Sequence, residues 1–413
     1  MRKIIASLDI GDYLIKLIVG EVFRGKVNVL TCVSTPSRGI KKGFVVNVES
    51  ASLALQDVFD KAEKSIGIRP TKVLVSVPSN NCEFFLSEGY TSINNEENIV
   101  THNDIVRSLQ SCVYNKVSEN RELISILPIK FLINDSDVVS NPINLKAQKL
   151  NVKAVCVTIP KQNVIGIVHT LDKIGVKVID MALGALGDYY EFKDKLDSNV
   201  VGAIVNIGAS ITNVSIFNKG IITKNEVIDI GGDLIDYDLA YVYKITRNDA
   251  IHVKENLAIA DIHKADASES YVINNKIGEN IKINQYDASE IMISRLNEIL
   301  NLVKKQINLL TKKEISYIMF TGGVTETAEF KYACDALFNN SIVASVNEIG
   351  VRNNSYSSCI GLIKYYDSRL RLRNKDFSIY TIEEQEQLSG MKKKINISED
   401  SILGKLFGYF FDN

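Results

Sequence analysis

Two stretches roughly two hundred residues apart share one pattern of apolar and polar positions. The first is an apolar run from Ile4 that ends at Asp9-Ile10-Gly11 and is followed by a second run to Val22. The other starts at Val200, reaches Asn206-Ile207-Gly208 and continues to Phe217. A glycine-containing turn comes next in both, so each stretch predicts the start of a β-meander. The repetition predicts two lobes that are built alike.

Helical periodicity fills the intervals between these meanders. Apolar residues recur at helical spacing over 55–66, 164–174 and 292–310, and Gly67 and Gly175 predict C-terminal caps. Buried strands are predicted over 72–78, 176–179 and 315–320. Strands that alternate with amphipathic helices are typical of an α/β fold in which helices cover the sheets.

Two regions depart from this alternation. Residues 79–158 are more polar and lie between two similar strand-Pro endings, which predicts a subdomain inserted into the first lobe. Residues 373–397 are charged and aperiodic and predict a flexible linker. The predicted domains are a first lobe (1–78 and 159–198), the insertion (79–158), a second lobe (199–372, its outer part at about 235–315, returning to the first lobe near its end), the linker (373–397) and a terminal helix (398–413).

Composition narrows the classes of function. Hydrophobic residues make up 46% and charged residues 23% of the chain, as in an ordinary globular protein. The net charge of −1 gives no basic field for nucleic acid. Six dispersed cysteines without a CxxC pair, and four histidines without metal-ligand spacing, predict a cytosolic protein without a metal. No apolar run reaches the ~18 residues needed to cross a bilayer.

The chain contains three glycine turns that suit phosphate binding. A tight turn after a buried strand lets backbone N–H groups approach a phosphate closely. Asp9-Ile10-Gly11 and Asn206-Ile207-Gly208 predict two such loops that face each other across the lobes. Thr321-Gly322-Gly323-Val324 predicts a third turn, against which an adenosine could lie.

The end of the chain predicts an amphipathic helix that lies on a membrane surface. Ser398 is a candidate N-cap, with Glu399 and Asp400 in the first turn. One wide apolar face then follows, and its position next to the polar stretch favours membrane binding over docking on the protein itself. The membrane-binding side chains are predicted to be Ile402, Leu403, Leu406, Phe407, Phe410 and Phe411.

The ordered segments LDIG, VSVP, TIP, NIG, IGG, TGG and IGL resemble the superfamily of actin, heat-shock chaperones and sugar kinases. Within it, the chain resembles the FtsA family of bacterial cell-division proteins over about residues 1–372 and again at the terminal helix. The resemblance implies an actin-like two-lobed α/β fold with duplicated RNase H-like subdomains, 1A in the first lobe and 2A/2B in the second. It also implies an FtsA-type inserted 1C subdomain and a C-terminal amphipathic helix.

The family resemblance also implies a site for ATP with Mg²⁺, but the chain departs from the family pattern there. Asp12 stands where the family has a hydroxyl, Leu14 where it has a lysine, and Asn206 where it has an aspartate. These changes argue against ATP hydrolysis, predict no catalytic residue and leave nucleotide binding open. The candidate nucleotide-binding residues are Asp9, Gly11, Asp12, Tyr13, Asn206, Gly208, Ala209, Ser210, Gly231, Gly232, Lys254, Gly322, Gly323 and Val324.

As a function, the resemblance implies a protein that polymerises on the cytoplasmic face of the bacterial cell membrane at the division site and tethers FtsZ filaments there. The implied partners are the FtsZ C-terminal tail (contacted between about residues 255 and 320), other copies of the chain, inner-membrane lipid and other division proteins. Two alternatives stay open: a PilM-like pilus-assembly adaptor, which the terminal helix disfavours, and an active actin-fold ATPase, which Asp12 and Asn206 disfavour.

Overall fold

The computed structural model of the chain describes residues 2–394, with side-chain packing as far as Leu388. The strands in this range are β1 Lys3–Ile10, β2 Leu14–Phe23, β3 Lys26–Pro36, β4 Ile40–Lys41, β5 Phe44–Val45, β6 Lys72–Val77, β7 Glu83–Ser92, β8 Arg121–Ile133, β9 Asp137–Val139, β10 Lys149–Pro160, β11 Lys177–Leu183, β12 Val201–Ile207, β13 Thr212–Asn218, β14 Ile221–Ile228, β15 Ser270–Asn274, β16 Asn280–Asn284, β17 Tyr317–Thr321 and β18 Ser341–Val343. The α-helices are α1 Val48–Ile66, α2 His102–Val113, α3 Gln162–Lys173, α4 Gly184–Phe192, α5 Asp233–Tyr243, α6 Arg247–Asn256, α7 Gln285–Leu310, α8 Phe330–Asp335, α9 Ser357–Leu372 and α10 Ile382–Lys394.

The two lobes contain sheets of the same topology. The first lobe has the strand order β3-β2-β1-β6-β11, and the second has β14-β13-β12-β17-β18. In each sheet, three antiparallel strands are followed by two parallel ones. Even the hairpin turns match, since Gly11 N–H donates to the Leu14 carbonyl at 3.1 Å and Gly208 N–H donates to the Ile211 carbonyl at 2.9 Å. The predicted duplication is confirmed.

The amphipathic helices cover these sheets as their apolar periodicity predicts. Helix α1 begins where the Asn47 side chain accepts the Ser50 N–H, and it ends at Gly67 with φ 79°. Its apolar face, which includes Leu55 and Phe59, is fully buried in the core beneath the first-lobe sheet. Burial of each such side chain contributes about 1.5–3 kcal/mol relative to exposure. Helix α7 covers the second-lobe sheet in the same way.

A separate antiparallel sheet follows β6. Its strand order is β7-β10-β8-β9. Helix α2 packs on one face and closes a core of its own, which includes Ile105, Phe131 and Leu150. Strand β10 then leads directly into α3 of the first lobe, so this unit is an insertion between two first-lobe elements.

The prediction of a flexible linker over 373–397 is wrong for residues 377–388, which are docked on the first lobe. Ile379 and Tyr380 are only 3% and 4% exposed and belong to the first-lobe core. Ile379 N–H donates to the Ile4 carbonyl at 2.9 Å, and the Tyr380 hydroxyl donates to the Ile68 carbonyl at 3.1 Å. Periodicity missed the segment because its apolar residues are too few and too irregularly spaced to define one face before α10 begins.

The terminal helix predicted over 398–413 lies outside the described residues, as do all six predicted membrane-binding side chains. Among the helices within residues 2–394, none is both long and apolar enough to span a bilayer.

Candidate nucleotide site

A cavity of about 530 Å³ separates the two lobes, at the carboxyl ends of β1, β6, β12 and β17. Of the candidate residues named from the sequence, all except Gly231 line it. Gly231 lies behind the wall, where an added Cβ would be 2.5 Å from the carbonyl oxygens of Gly208 and Ala209. Gly322 has φ 97°, and a Cβ there would be 2.5 Å from the Ile207 carbonyl oxygen. Both glycines are therefore required by close backbone approach.

The facing loops leave backbone donors unused. The N–H groups of Gly232 and Asp233, at the start of α5, donate to the carbonyls of Gly208 and Ala209 at 3.0 and 2.8 Å. By contrast, no hydrogen bond within residues 2–394 uses the N–H groups of the loop residues Asp12, Tyr13, Ala209 and Ser210. Such donors at a tight turn suit phosphate oxygens.

Lys16 brings a positive charge into the cleft that the sequence analysis missed. Its ammonium group donates to Asp9 Oδ2 at 2.9 Å and to the Ser355 carbonyl at 2.6 Å. Burial alone would lower the Lys16 pKa, but the adjacent Asp9 carboxylate outweighs it, and the pKa is raised above the usual value. The signal was present in the hairpin, because a turn centred on Asp12 and Tyr13 places Asp9 opposite Lys16.

Asp12 is tied to a neighbouring hairpin. Its carboxylate accepts the N–H groups of Lys42 and Gly43 at 2.7 and 2.8 Å. These residues form the β4–β5 turn, with φ 52° and 78°. Lys42 in turn pairs with Asp229 of the second lobe at 2.9 Å, across the mouth of the cleft. Asp12 therefore organises the rim of the cleft as well as placing a carboxylate in its first loop.

Asn206 faces a second acid that the sequence analysis missed, Asp188 on α4. The Asn206 amide donates to Asp188 Oδ2 at 2.9 Å, and the hydroxyls of Ser357 and Ser358 donate to Oδ1 at 2.6 and 2.8 Å. Burial raises the Asp188 pKa, and these donors only partly oppose the rise. An aspartate at position 206 would place two carboxylates face to face. The signal for Asp188 was a lone acid within the apolar run 182–189.

Two further cations, one in the lining of the cleft and one beside it, are also paired with acids. Lys254 forms an ion pair with buried Asp236 at 2.5 Å, and Arg247 forms one with Asp233 at 2.6 Å. Burial raises the Asp236 pKa, and Lys254 opposes that rise. Lys254 therefore lines the cleft as predicted, but its charge is already neutralised.

The charge balance of the lining disfavours a bare triphosphate. The lining carboxylates outnumber the lining cations, Lys16 and Lys254, by seven to two. The carboxylates are those of Asp9, Asp12, Asp188, Asp233, Asp236, Glu255 and Glu326. A nucleotide fits this cleft in size, but its phosphates need a divalent cation to offset the acids.

Comparison with protein families explains this arrangement of lobes and insertion. A family model described as "Cell division protein FtsA" matches residues 203–361, and one described as "SHS2 domain inserted in FTSA" matches residues 80–158. Both describe parts of one protein, and together they match more than half of the chain. The chain belongs to the FtsA family. Its insertion, with the sheet β7-β10-β8-β9, is the SHS2 domain of that family.

Curated relatives extend the match over most of the chain. The cell division protein FtsA of Bacillus subtilis (strain 168) is 26% identical over 390 residues, which are 94% of this chain and 88% of that protein. FtsA of Escherichia coli (strain K12) is 24% identical over 383 residues, 88% of this chain and 90% of that protein.

Solved structures with the same fold include other actin-like proteins. The PilM-PilN type IV pilus biogenesis complex matches with a TM-score of 0.56 and 13% identity, over 87% of this chain and 97% of that chain. MreB5 of Spiroplasma citri bound to ADP matches with a TM-score of 0.56 and 12% identity, over 90% of this chain and 99% of that chain. The actin-like fold with an FtsA-type insertion is therefore confirmed.

Proposed function

We propose that this FtsA-family chain polymerises on the cytoplasmic face of the cell membrane and tethers FtsZ filaments there during septum formation. The observation that carries the proposal is the FtsA match over both the second lobe and the insertion. The amphipathic pattern of residues 402–411 adds a means of membrane attachment. The second lobe would capture the FtsZ C-terminal tail, and the lobes and insertion would mediate assembly with further copies and with other division proteins.

A bound nucleotide would support assembly of the filament and would not be hydrolysed. Asp12, Tyr13, Ala209 and Ser210 offer N–H groups for phosphate oxygens, Asp9 offers a carboxylate toward Mg²⁺, and the turn at 322–324 with Lys254 offers a surface for the adenosine. A bound nucleotide would contact both lobes at once and so stabilise their closed arrangement. Position 206 carries an amide, which donates to Asp188. It therefore supplies no carboxylate to hold an attacking water.

The tether is tested by co-sedimentation with liposomes in the presence of FtsZ. We expect the intact chain to pellet and to bring FtsZ with it. A Leu406→Asp/Phe410→Asp double variant, and a truncation after Lys394, should leave both proteins in the supernatant. An intact chain that stays in solution would overturn the membrane proposal, and one that pellets without FtsZ would overturn the tether.

The nucleotide proposal is tested by calorimetry with ATP, with and without Mg²⁺. Because lining acids outnumber lining cations, we expect chelation of Mg²⁺ to weaken binding at least tenfold. We also expect no phosphate release above the buffer background. Equal affinity with and without Mg²⁺ would contradict the charge argument, and steady phosphate release would contradict the assignment of a non-catalytic site.

A further inference from the structure

The first lobe has an end that faces away from the cleft. The carboxyl end of β1 carries Asp9 into the cleft, so the opposite end of the sheet holds the start of β1, the β2–β3 turn and the start of β3. The carboxyl end of α9 reaches the same place, because the Arg371 guanidinium lies 3.1 Å from the Cβ position of Gly25. We call Phe23, Arg24, Lys26, Arg371 and Lys375 the basal surface.

The basal surface combines an exposed aromatic ring with exposed cations. Phe23 is 62% exposed at the tip of the β2–β3 hairpin, and the Arg24 guanidinium lies over its ring at 5.2 Å. Arg24, Lys26, Arg371 and Lys375 are all exposed. Nothing in the packing of the first lobe requires a phenylalanine at this tip, so the ring is available to a partner.

Positive charge is concentrated at this end of a chain whose net charge is −1. The nearest acids are already engaged. Asp367 is buried and pairs with Lys3 and Arg371, Glu21 pairs with Arg2, and Asp376, whose side chain is 66% exposed, pairs with Lys3 at 3.7 Å. The acidic first turn of α10 lies on the other side of β1, because Tyr380 contacts Ile68 just before β6. The surface is therefore complementary to an anionic partner.

The docked C-terminal segment fixes this end of the lobe near any membrane anchor. Residues 379–388 are held in the first-lobe core, and only seven residues separate Lys394 from Ile402. Helix α10 adds roughly 9 Å between Leu388 and Lys394, and the stretch that follows spans at most roughly 30 Å when fully extended. If residues 402–411 bind a bilayer, as the proposed function requires, the docked segment stays within roughly 40 Å of the lipid surface, and that segment contacts the basal end of the first lobe at Ile4.

We propose that the basal surface is a second membrane-binding site, specific for anionic lipid. Its cations would lie against lipid phosphates, and the Phe23 ring would enter the interfacial region between headgroups. The inference rests on the proposed membrane attachment and adds an orientation to it, with the cleft turned away from the bilayer. Each basic residue close to an anionic surface strengthens binding roughly fivefold.

Charge reversal in the full-length chain tests the site. The basal variant is Arg24→Glu/Lys26→Glu/Lys375→Glu, and the matched control is Lys276→Glu/Lys282→Glu/Lys313→Glu, three exposed lysines of the second lobe. Binding is measured by sedimentation with vesicles of phosphatidylcholine alone and of phosphatidylcholine mixed with phosphatidylglycerol. We expect the basal variant to bind the mixed vesicles at least tenfold more weakly than the control, and both to bind the neutral vesicles equally.

The outcomes separate this inference from the proposed function. Basal and control variants that bind mixed vesicles equally would overturn the basal surface and leave the helix anchor standing. The Leu406→Asp/Phe410→Asp variant reports on the anchor alone. If that variant binds neutral vesicles as strongly as the unsubstituted chain does, the helix anchor is wrong. The basal surface is still supported if anionic lipid strengthens the binding of the unsubstituted chain and this gain is lost only in the basal variant.

A fluorescence experiment tests the ring directly. The chain has no tryptophan, so Phe23→Trp introduces a single reporter at the hairpin tip, and Tyr241→Trp, at a side chain 85% exposed on α5, is the control. We expect mixed vesicles to shift the emission of the Phe23→Trp chain to shorter wavelength and to leave the control unchanged. If the emission of the Phe23→Trp chain instead shifts with rising protein concentration in the absence of vesicles, the surface is a contact between copies of the chain. That result would overturn the lipid proposal.

Discussion

At the scale of single residues, positions in the cleft loops that depart from the pattern implied by the family resemblance lie beside side chains from other elements. Lys16 enters from β2 and pairs with Asp9, whereas Leu14 stands where the resemblance implies a lysine. Asn206 supplies an amide to Asp188, so the pair needs only one negative charge where two would repel. Sequence reasoning found the departures at 14 and 206 but not their partners. A loop pattern does not show which side chain of a neighbouring strand or helix points into the same cavity.

Asp12 is the residue whose substitution should change nucleotide binding most. Two like charges ~4 Å apart cost roughly 4 kcal/mol even at an effective dielectric of ~20. Asp12→Ser removes the carboxylate and introduces a hydroxyl, so we expect the affinity for ADP with Mg²⁺ to rise at least tenfold in a calorimetric titration. Asp172→Ser, at an exposed acid outside the cleft lining, is the control. Equal affinity of the two variants would show that Asp12 does not limit binding.

At the scale of elements, helices with a continuous apolar face and a glycine cap were predicted from the sequence. Both α1 and α3 end next to the glycines named for them, Gly67 and Gly175, each with positive φ. The segment 377–388 was mistaken for a linker because its stability comes from separate anchors, not from a periodic face. The Ile379 N–H donates a hydrogen bond to the Ile4 carbonyl at the start of β1. The sequence does not show that this carbonyl is left free to accept, because that depends on the folded sheet.

Tyr380 should therefore be important for the stability of the first lobe. Its ring is buried in the core and its hydroxyl is bonded, so we expect Tyr380→Ala to lower the free energy of unfolding by about 3–5 kcal/mol. The measurement is urea denaturation followed by circular dichroism. Ile382→Ala, only two residues away and 57% exposed, should change it by less than about 0.5 kcal/mol. If this segment were a flexible linker, both substitutions would change the free energy of unfolding by similarly small amounts.

At the scale of the whole molecule, the fold class followed from the internal repeat, and the lobe interface did not. The repeat places Gly11 and Gly208 at equivalent turns and so implies two facing loops. The contact between the lobes depends on side chains far apart in sequence. Lys364 of α9 pairs with Glu191 of α4 at 3.0 Å and with Glu348, which follows β18 of the second lobe, at 2.8 Å. No local pattern marks such a three-residue cluster.

We expect this cluster to make the stability of the protein depend on pH. Burial raises the Glu191 pKa to about 7, although Lys364 opposes the rise. Because the folded chain holds this proton more tightly than the unfolded chain, its stabilising contribution is present below the ordinary pKa of 4.5 and is lost as the pH rises through about 7. We expect the free energy of unfolding, relative to Glu191→Gln, to fall by up to about 3 kcal/mol over that window.

Urea unfolding curves at closely spaced pH values measure this difference. The control is Glu49→Gln on α1, which removes an exposed carboxylate far from the cluster, and the fall in unfolding free energy should be preserved in that variant. A difference between the unsubstituted chain and Glu191→Gln that stays constant with pH would contradict the raised pKa.

The crossing of α4 and α9 limits how the two halves of the molecule can move. A Cβ at Gly361 would lie 1.8 Å from the Gly187 carbonyl oxygen, so the helices touch backbone to backbone, and both covalent connections between the lobes lead into them. Because helices this close have little room to slide past each other, we expect any relative movement of the lobes to be a rotation about this contact. A small change of angle at the two glycines would then produce a large displacement at the outer ends of the lobes.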